Sequence, residues 1–209
     1  NDSTSASLGS AATLQLDSTI SSPDDVISCT VSFSDNNAAS VSDSTSVTIV
    51  NTAPEFDVAA TIDPSTAVVT GSELTCSATA SDVDDGALTP TYEWSVGSTL
   101  IGSGASYTVS ASDTNVGDDI TCIATATDSD WESTSSVASV TVENTDPVVS
   151  GTVLDLTMVY NDDIIVCSSS ATDPDETLSL SYEWTLEGVV VGSTNSLDLS
   201  TTSAMPQES

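Results

Sequence analysis

The stretch LTCSATASDVDDGALTPTYEW (residues 74–94) decides the fold. Its first part alternates: Leu74, Cys76, Ala78 and Ala80 fall on one face, and Thr75, Ser77, Thr79 and Ser81 on the other. A period of two is the mark of a half-buried β-strand. An acidic, Gly-closed run, Asp82-Val-Asp-Asp-Gly86, then reads as a turn. Beyond it, Thr91-Tyr92-Glu93-Trp94 reads as a second strand that starts just after Pro90. Working outward, ITCIATA (120–126) repeats the first pattern around Cys122, and VASVTVE (137–143) alternates again. Seven strands are expected over this region, near 56–62, 73–80, 90–96, 99–101, 106–110, 119–126 and 135–143. Val, Thr and Ile dominate them, as strands prefer. Disorder is the competing reading, because high net charge with few aromatics favours it. The short periodic runs of the 38% hydrophobic residues argue against it.

The chain repeats itself. Residues 27–54 align without gaps on 120–147, so that Cys29 matches Cys122 and Asn51 matches Asn144, both at a shift of 93. Residues 74–102 align on 165–192, with Cys76 matching Cys167 at a shift of 91 and Trp94 matching Trp184 at a shift of 90. The unit is about 90 residues, a length that suits a small sandwich. On this phase, residues 1–51 are the back part of one repeat, 52–147 a complete one, and 148–209 the front of a third. The parent chain is expected to continue in both directions. The connectors NTAPEF and NTDPVV hold Asn, Asp and Pro, and are short.

About seven short strands in some 95 residues predict an all-β fold of tandem antiparallel β-sandwiches. The order Cys76, Trp94, Cys122 is that of an immunoglobulin-type core, in which a disulfide joins the two sheets and the indole packs on it. Trp184 is the matching core residue of the third repeat. Two free buried thiols are the other reading of Cys76 and Cys122, since Cys also serves as a small hydrophobe. Cys29 and Cys167 lack their in-phase partners and are expected to be unpaired. The segments ATASDVDDGALTPTYEW (78–94) and SATDPDETLSLSYEW (170–184) resemble the tandem Ig-like repeats of the polycystic-kidney-disease (PKD) and cadherin-like type. Such repeats are found in large prokaryotic surface proteins. The shared pattern is an Asp-x-Asp turn, an extended stretch and Tyr-x-Trp. The resemblance departs after Trp94, where Ser95-Val96-Gly97 stands in place of an Asp-Phe-Gly-Asp-Gly run, and at Ile120, where antibody domains carry a tyrosine. It implies adhesion, spacing or surface display, often with calcium.

Composition removes whole classes of function. The chain has 32 Asp plus Glu and no Lys, Arg or His, a net charge of −32. Nucleic acids and anionic membranes are repelled. Phosphoryl transfer lacks a cationic clamp. His-based acid–base chemistry and Ser-His-Asp triads are impossible. No stretch approaches the ~18 apolar residues of a membrane-spanning helix. The chain is therefore expected not to be an enzyme.

Acidic turns follow the Cys strands: Asp82, Asp84 and Asp85; Asp173, Asp175 and Glu176; Asp128, Asp130 and Glu132; and the weaker Asp35-x-Asn37. In a sandwich of this type the first and third of these turns lie at one end, where the connector arrives. Asn51 is expected to join the first cluster. Asn144 and Asp146 are expected to join Asp173 and Asp175 in a second. A hard divalent ion would relieve the repulsion of such carboxylates, and Ca²⁺ takes 6–8 oxygen ligands. Ordinary solvated turns are the alternative, because Asp and Asn favour turns for local reasons. Trp131 is either a contact for a glycan or protein or an aromatic packed on its own domain. Asn1-Asp2-Ser3 is a formal glycosylation sequon.

The expected function is an extracellular or cell-surface structural spacer, stalk or adhesion module, stiffened by Ca²⁺, whose partners are adjacent repeats and a surface protein or glycan. The alternatives are a ligand-binding module attached to an enzyme or receptor, and a subunit of an S-layer or filament.

Overall fold

A computed structural model describes residues 6–202; the sequon at residues 1–3 and the closing residues 203–209 lie outside them. The described chain is all-β. Its strands are β1 (Val26–Ser34), β2 (Ser40–Thr48), β3 (Glu55–Asp63), β4 (Glu73–Asp82), β5 (Gly86–Leu88), β6 (Thr91–Val96), β7 (Thr99–Ser103), β8 (Ser106–Thr108), β9 (Asp119–Thr127), β10 (Ser133–Thr141), β11 (Val148–Leu154), β12 (Ile164–Thr172), β13 (Trp184–Leu186), β14 (Val189–Gly192) and β15 (Ser196–Asp198). A single 3₁₀ turn, Leu199–Thr201, is capped by Asp198, whose carboxylate accepts the Ser200 N–H.

The pairings between residues 55 and 141 build two sheets. One runs β10-β9-β6-β7, and the other β3-β4-β5 with β8 also on β4. All seven expected strands are present within about two residues of their expected ends. The strand β5 is additional. It is three residues long and pairs antiparallel with the end of β4, Asp82 opposite Gly86. Gly86 has φ +77°, a region that L side chains disfavour, so the turn needs a glycine there. This sandwich-like arrangement is compatible with an Ig-like domain.

The described chain separates into two compact units, interleaved in sequence: 6–65, 74–107 and 119–140 form the first, and 66–73, 108–118 and 141–202 the second. Each connector lies inside one unit. In the first unit the buried face of β9 is Ile120, Cys122, Ala124 and Ala126, and that of β4 includes Leu74, Cys76 and Ala80. These are the alternate positions that the sequence assigns to one face. Cys76 and Cys122 form a disulfide between the two sheets, with a Cα–Cα distance of 6.5 Å. Trp94 is 0% exposed, lies opposite Cys122 in the β6–β9 register, and stacks at 5.8 Å on the Tyr107 ring. Its indole N–H donates to the Gly104 carbonyl at 2.9 Å, so the one polar atom of the ring is satisfied. A Cβ on Gly102 would meet the Tyr107 ring at 3.0 Å, so a larger residue there would push against this stack. The Tyr92 hydroxyl, on β6, accepts the Ala78 N–H of β4 at 3.1 Å and ties the two sheets a second time.

The hairpin β1–β2 in the same unit pairs through nine residues, from Val26 opposite Thr48 to Ser34 opposite Ser40. In the second unit, β11-β12-β15 form one sheet and β13-β14 a ribbon. Val68, Val109, Val142, Ile165 and Leu197 are its buried apolar residues. Trp184 donates from its indole N–H to the Thr194 carbonyl at 2.7 Å, the same bond that Trp94 makes ten residues downstream of itself. Cys29 and Cys167 are free thiols, the first exposed and the second half-buried.

Candidate functional site

Each acidic turn is closed by its first aspartate. Asp82 Oδ1 accepts the N–H groups of Asp84 (2.6 Å) and Asp85 (3.1 Å). Asp173 Oδ1 accepts those of Asp175 (2.7 Å) and Glu176 (3.3 Å). Asp128 Oδ1 accepts those of Asp130 (3.0 Å) and Glu132 (2.8 Å). Asp35 Oδ1 does the same for Asn37 (2.8 Å) and Ala39 (2.9 Å). A short side-chain acceptor that satisfies turn N–H groups is the usual reason for Asp at such positions. Ala38 (φ +65°) and Trp131 (φ +72°), which the alignment places in register, both take the left-handed conformation that the turn demands.

Other carboxylate oxygens reach the connectors. In the first unit, Asp84 Oδ2 accepts the Thr52 N–H at 2.9 Å, and Asp128 Oδ2 accepts the Asn51 Nδ2–H at 2.9 Å. Asp85 holds the two turns to each other, accepting the Ser129 N–H (2.8 Å) and hydroxyl (2.9 Å). In the second unit, Asp175 Oδ2 accepts the Thr145 N–H at 2.6 Å, and its Oδ1 accepts the Thr70 hydroxyl. Thr52 and Thr145 differ by 93 positions, and Asp84 and Asp175 by 91, so these are the same clamp made twice.

The structure thus brings Asn51, Asp84, Asp85 and Asp128 together with Asp82 at the base of their turn. Asp130 is also close. Its carboxyl is held above the ordinary aspartate value by desolvation, then by the carboxylates of Asp128, Asp85, Asp24 and Asp84. Glu132 is exposed, and its backbone N–H is what closes the turn. Asn144 turns to its own neighbour, donating to the Thr145 carbonyl, and Asp146 is exposed. Two participants come from outside the acidic turns. Asp24 occupies the position that the 93-residue shift assigns to Gly117, and each of these donates its N–H to the matching carbonyl, Ile49 or Val142. Thr70 is 105 residues from Asp175, and nothing in its neighbourhood marks it.

Asp82 and Asp128 are 8% and 6% exposed. Buried carboxylates need partners. Asp128 has them on both oxygens, whereas Asp82 Oδ2 and the Asn51 Oδ1 are buried without one. Among the described residues, however, no three acidic or thiol groups are disposed to hold a metal ion. Of the oxygens that the sequence offers as ligands, both of Asp85, Asp128 and Asp175 and one each of Asp82, Asp84 and Asp173 are committed to N–H or O–H donors. Trp131 is 87% exposed, so of its two readings, packing on its own domain is wrong. The left-handed turn points the indole into solvent.

Asp175 and Asp130 are shifted in opposite directions. Asp175 is held below the ordinary aspartate value, first by the Thr70 hydroxyl and then by the Thr145 N–H. A lowered folded value means stabilisation that is complete above the ordinary carboxylate range and is lost as pH falls through the folded value. Asp130 is raised, so its charged form opposes folding, and the opposition is relieved as pH falls through the raised value. Carboxyl-carbon NMR titration is expected to place the Asp130 midpoint above that of an exposed aspartate and the Asp175 midpoint below it. Coincident midpoints would remove both causes.

Comparison with protein families, with curated proteins and with solved structures finds no match to this chain. Among the described residues no helix is long and apolar enough to cross a membrane.

Proposed function

We propose that this chain is a non-catalytic segment of an extracellular tandem-repeat protein, acting as a structural spacer or adhesive stalk with clamped joints. The repeats are the Ig-like units of residues 1–51, 52–147 and 148–209. The duplicated clamp, Thr52 N–H on Asp84 and Thr145 N–H on Asp175, carries this reading. A connector gripped through its backbone at the same place in successive repeats transmits orientation along the chain. The sheet-to-sheet disulfide is of the kind that persists in oxidising compartments, which supports a surface or secreted setting. Asp84→Ala and Asp175→Ala are each expected to loosen a joint, because each removes the carboxylate that accepts the connector N–H. In ¹⁵N relaxation, residues on the two sides of the altered connector should then tumble more independently. Unchanged correlation times in both variants would overturn the stiff-spacer reading.

Calcium belongs to this proposal as a joint-stiffening ion. The unsatisfied buried oxygens of Asp82 and Asn51 and the crowding at Asp130 favour it. At about a hundredfold excess over a dissociation constant of ~10⁻⁴–10⁻³ M, one site adds about 2.7 kcal/mol. Melting in Ca²⁺ is therefore expected above melting in EDTA. Equal melting temperatures with no heat of titration would leave the joints to the hydrogen-bonded clamps alone.

A second reading rests on Trp131. An exposed aromatic beside carboxylates suits stacking on a sugar ring with hydrogen bonds to its hydroxyls. It favours a glycan-binding module, and a glycan array probed with the chain and with Trp131→Ala separates it from a plain spacer.

A further inference from the structure

Three large apolar side chains stand in solvent beside the acidic turns of the first unit. Val50, Val83 and Trp131 are 79%, 69% and 87% exposed. They belong to the connector and to the turns after β4 and β9. Hydrogen bonds draw these three segments together: Asn51 on Asp128, Thr52 on Asp84, and Ser129 on Asp85. The clamp does not need these positions apolar. At the matching places the chain carries Glu143, Pro174 and Ala38, and Glu143 accepts the Ala67 N–H of its own unit. Trp131 is also poorly suited to its backbone. Its φ of +72° is a conformation that bulky side chains disfavour, and Ala38 makes the same turn without an indole.

The surroundings of these side chains are acidic and short of donors. Asp130 and Glu132 flank Trp131 in sequence, and Asp84 and Asp85 follow Val83. Desolvation, then the carboxylates of Asp128, Asp85, Asp24 and Asp84, hold the Asp130 carboxyl above its ordinary value, so negative charge is concentrated next to the indole. Asp82, 8% exposed, keeps its Oδ2 buried without a partner, as Asn51 keeps its Oδ1. The chain has no Lys, Arg or His, so neither these residues nor a second copy of them can bring the missing cation. A neutral sugar would use the indole and leave the charge standing. Arginine meets every part of the description. Its guanidinium is planar, stacks on aromatic faces, carries five donors in a fork that fits carboxylates, and rides on an apolar stem.

We propose that this surface binds an arginine-bearing basic segment of a partner protein. The guanidinium lies on the Trp131 indole and donates to the carboxylates beside it, Asp130 foremost. The stem and the apolar neighbours of that arginine cover Val83 and Val50. An exposed apolar patch rimmed by polar groups marks a protein contact, and an aromatic anchor carries most of the energy of such a contact. The two contributions differ in range. The summed negative charge speeds encounter and is screened by salt, whereas stacking on the indole acts only at contact. The inference goes beyond the spacer reading and rests neither on it nor on calcium.

The test titrates the ¹⁵N-labelled 209-residue chain, in EDTA and about 0.15 M salt, with the amidated peptide Leu-Arg-Gly-Arg-Leu, its lysine counterpart and spermine. With the arginine peptide, the Trp131 indole N–H signal and the amides of residues 83–85 and 130–132 should move together and saturate. The indole signals of Trp94 and Trp184, bonded to the Gly104 and Thr194 carbonyls, should stay in place. The lysine peptide should bind about threefold more weakly. Trp131→Ala should weaken arginine binding by about tenfold or more, and Trp131→Phe by less. Asp130→Asn should weaken it about threefold and flatten its salt dependence. Both positions are exposed, so the fold is kept. Shifts spread over the carboxylates of the whole chain, an affinity that Trp131→Ala leaves unchanged, or equal binding of spermine would each overturn the inference. So would a glycan array that selects the indole while the peptide fails to bind. None of these substitutions touches the clamps, so such a failure leaves the spacer reading standing.

Discussion

Trp94→Ala is expected to destabilise the first unit by about 3–5 kcal/mol, the cost of emptying a large aromatic site that cannot collapse. Trp94 is fully buried, its indole N–H is bonded to the Gly104 carbonyl, and its ring lies on Tyr107. Truncation removes the apolar burial, strips Tyr107 of its neighbour and leaves the Gly104 carbonyl without its donor. A domain stable by about 5–15 kcal/mol loses a large share of its margin. Urea unfolding followed by hydrogen exchange at β6 and β9 measures it. Trp131→Ala is the control: the residue is 87% exposed, and its removal should stay within about 0.5 kcal/mol. Equal effects of the two substitutions would mean that the indole of Trp94 is not the centre of the core.

The disulfide carries the second large effect. Cys76 and Cys122 are 46 residues apart, and in the chain-entropy description a loop of that length is worth about 4 kcal/mol. The double variant Cys76→Ala/Cys122→Ala is the cleaner test, because a single substitution leaves a thiol able to pair with Cys29 or Cys167. It should lower the unfolding free energy by about that amount and shift the unfolding midpoint down accordingly, and reductant should then have no further effect on it. A midpoint that survives both changes would show that the two sheets are held by Trp94, Tyr92 and the β4 and β9 faces without covalent help.

Much of the fold is legible in the sequence because the strands are half-buried and short. Their alternation, Leu74-x-Cys76-x-Ala78-x-Ala80 above all, reports the buried face directly, and the Cys76–Trp94–Cys122 order reports how two sheets meet. β5 escapes, because Gly86-Ala-Leu88 is too short to show a period and sits on the far side of a turn. The acidic turns are legible as turns, but not in the use made of them. From sequence they read either as pooled carboxylates that a divalent ion would relieve or as ordinary turns that Asp closes for local reasons. In the folded chain the nearest N–H groups claim those oxygens first, since a backbone donor two residues away involves no loop closure. Asp35 already holds the clue, because it closes the same turn as Asp128 with only one acid nearby. Asp24 and Thr70 escape for a different reason: they reach the clusters through tertiary approach, which no local pattern records. The solvent-facing Trp131 is set by the left-handed turn it shares with Ala38, and its conformation, not its hydrophobicity, decides where it points.

The connector clamps grip main chain on one side only. Asp84 and Asp175 take the N–H of Thr52 and Thr145, a group every amino acid but proline supplies. Position 52, which is exposed, is therefore free to drift through nearly the whole alphabet while its bond to the acid is kept, whereas the buried hydroxyl of Thr145 ties position 145 more closely to its present residue. A connector of this kind can therefore change its side chain at position 52 without losing the bond.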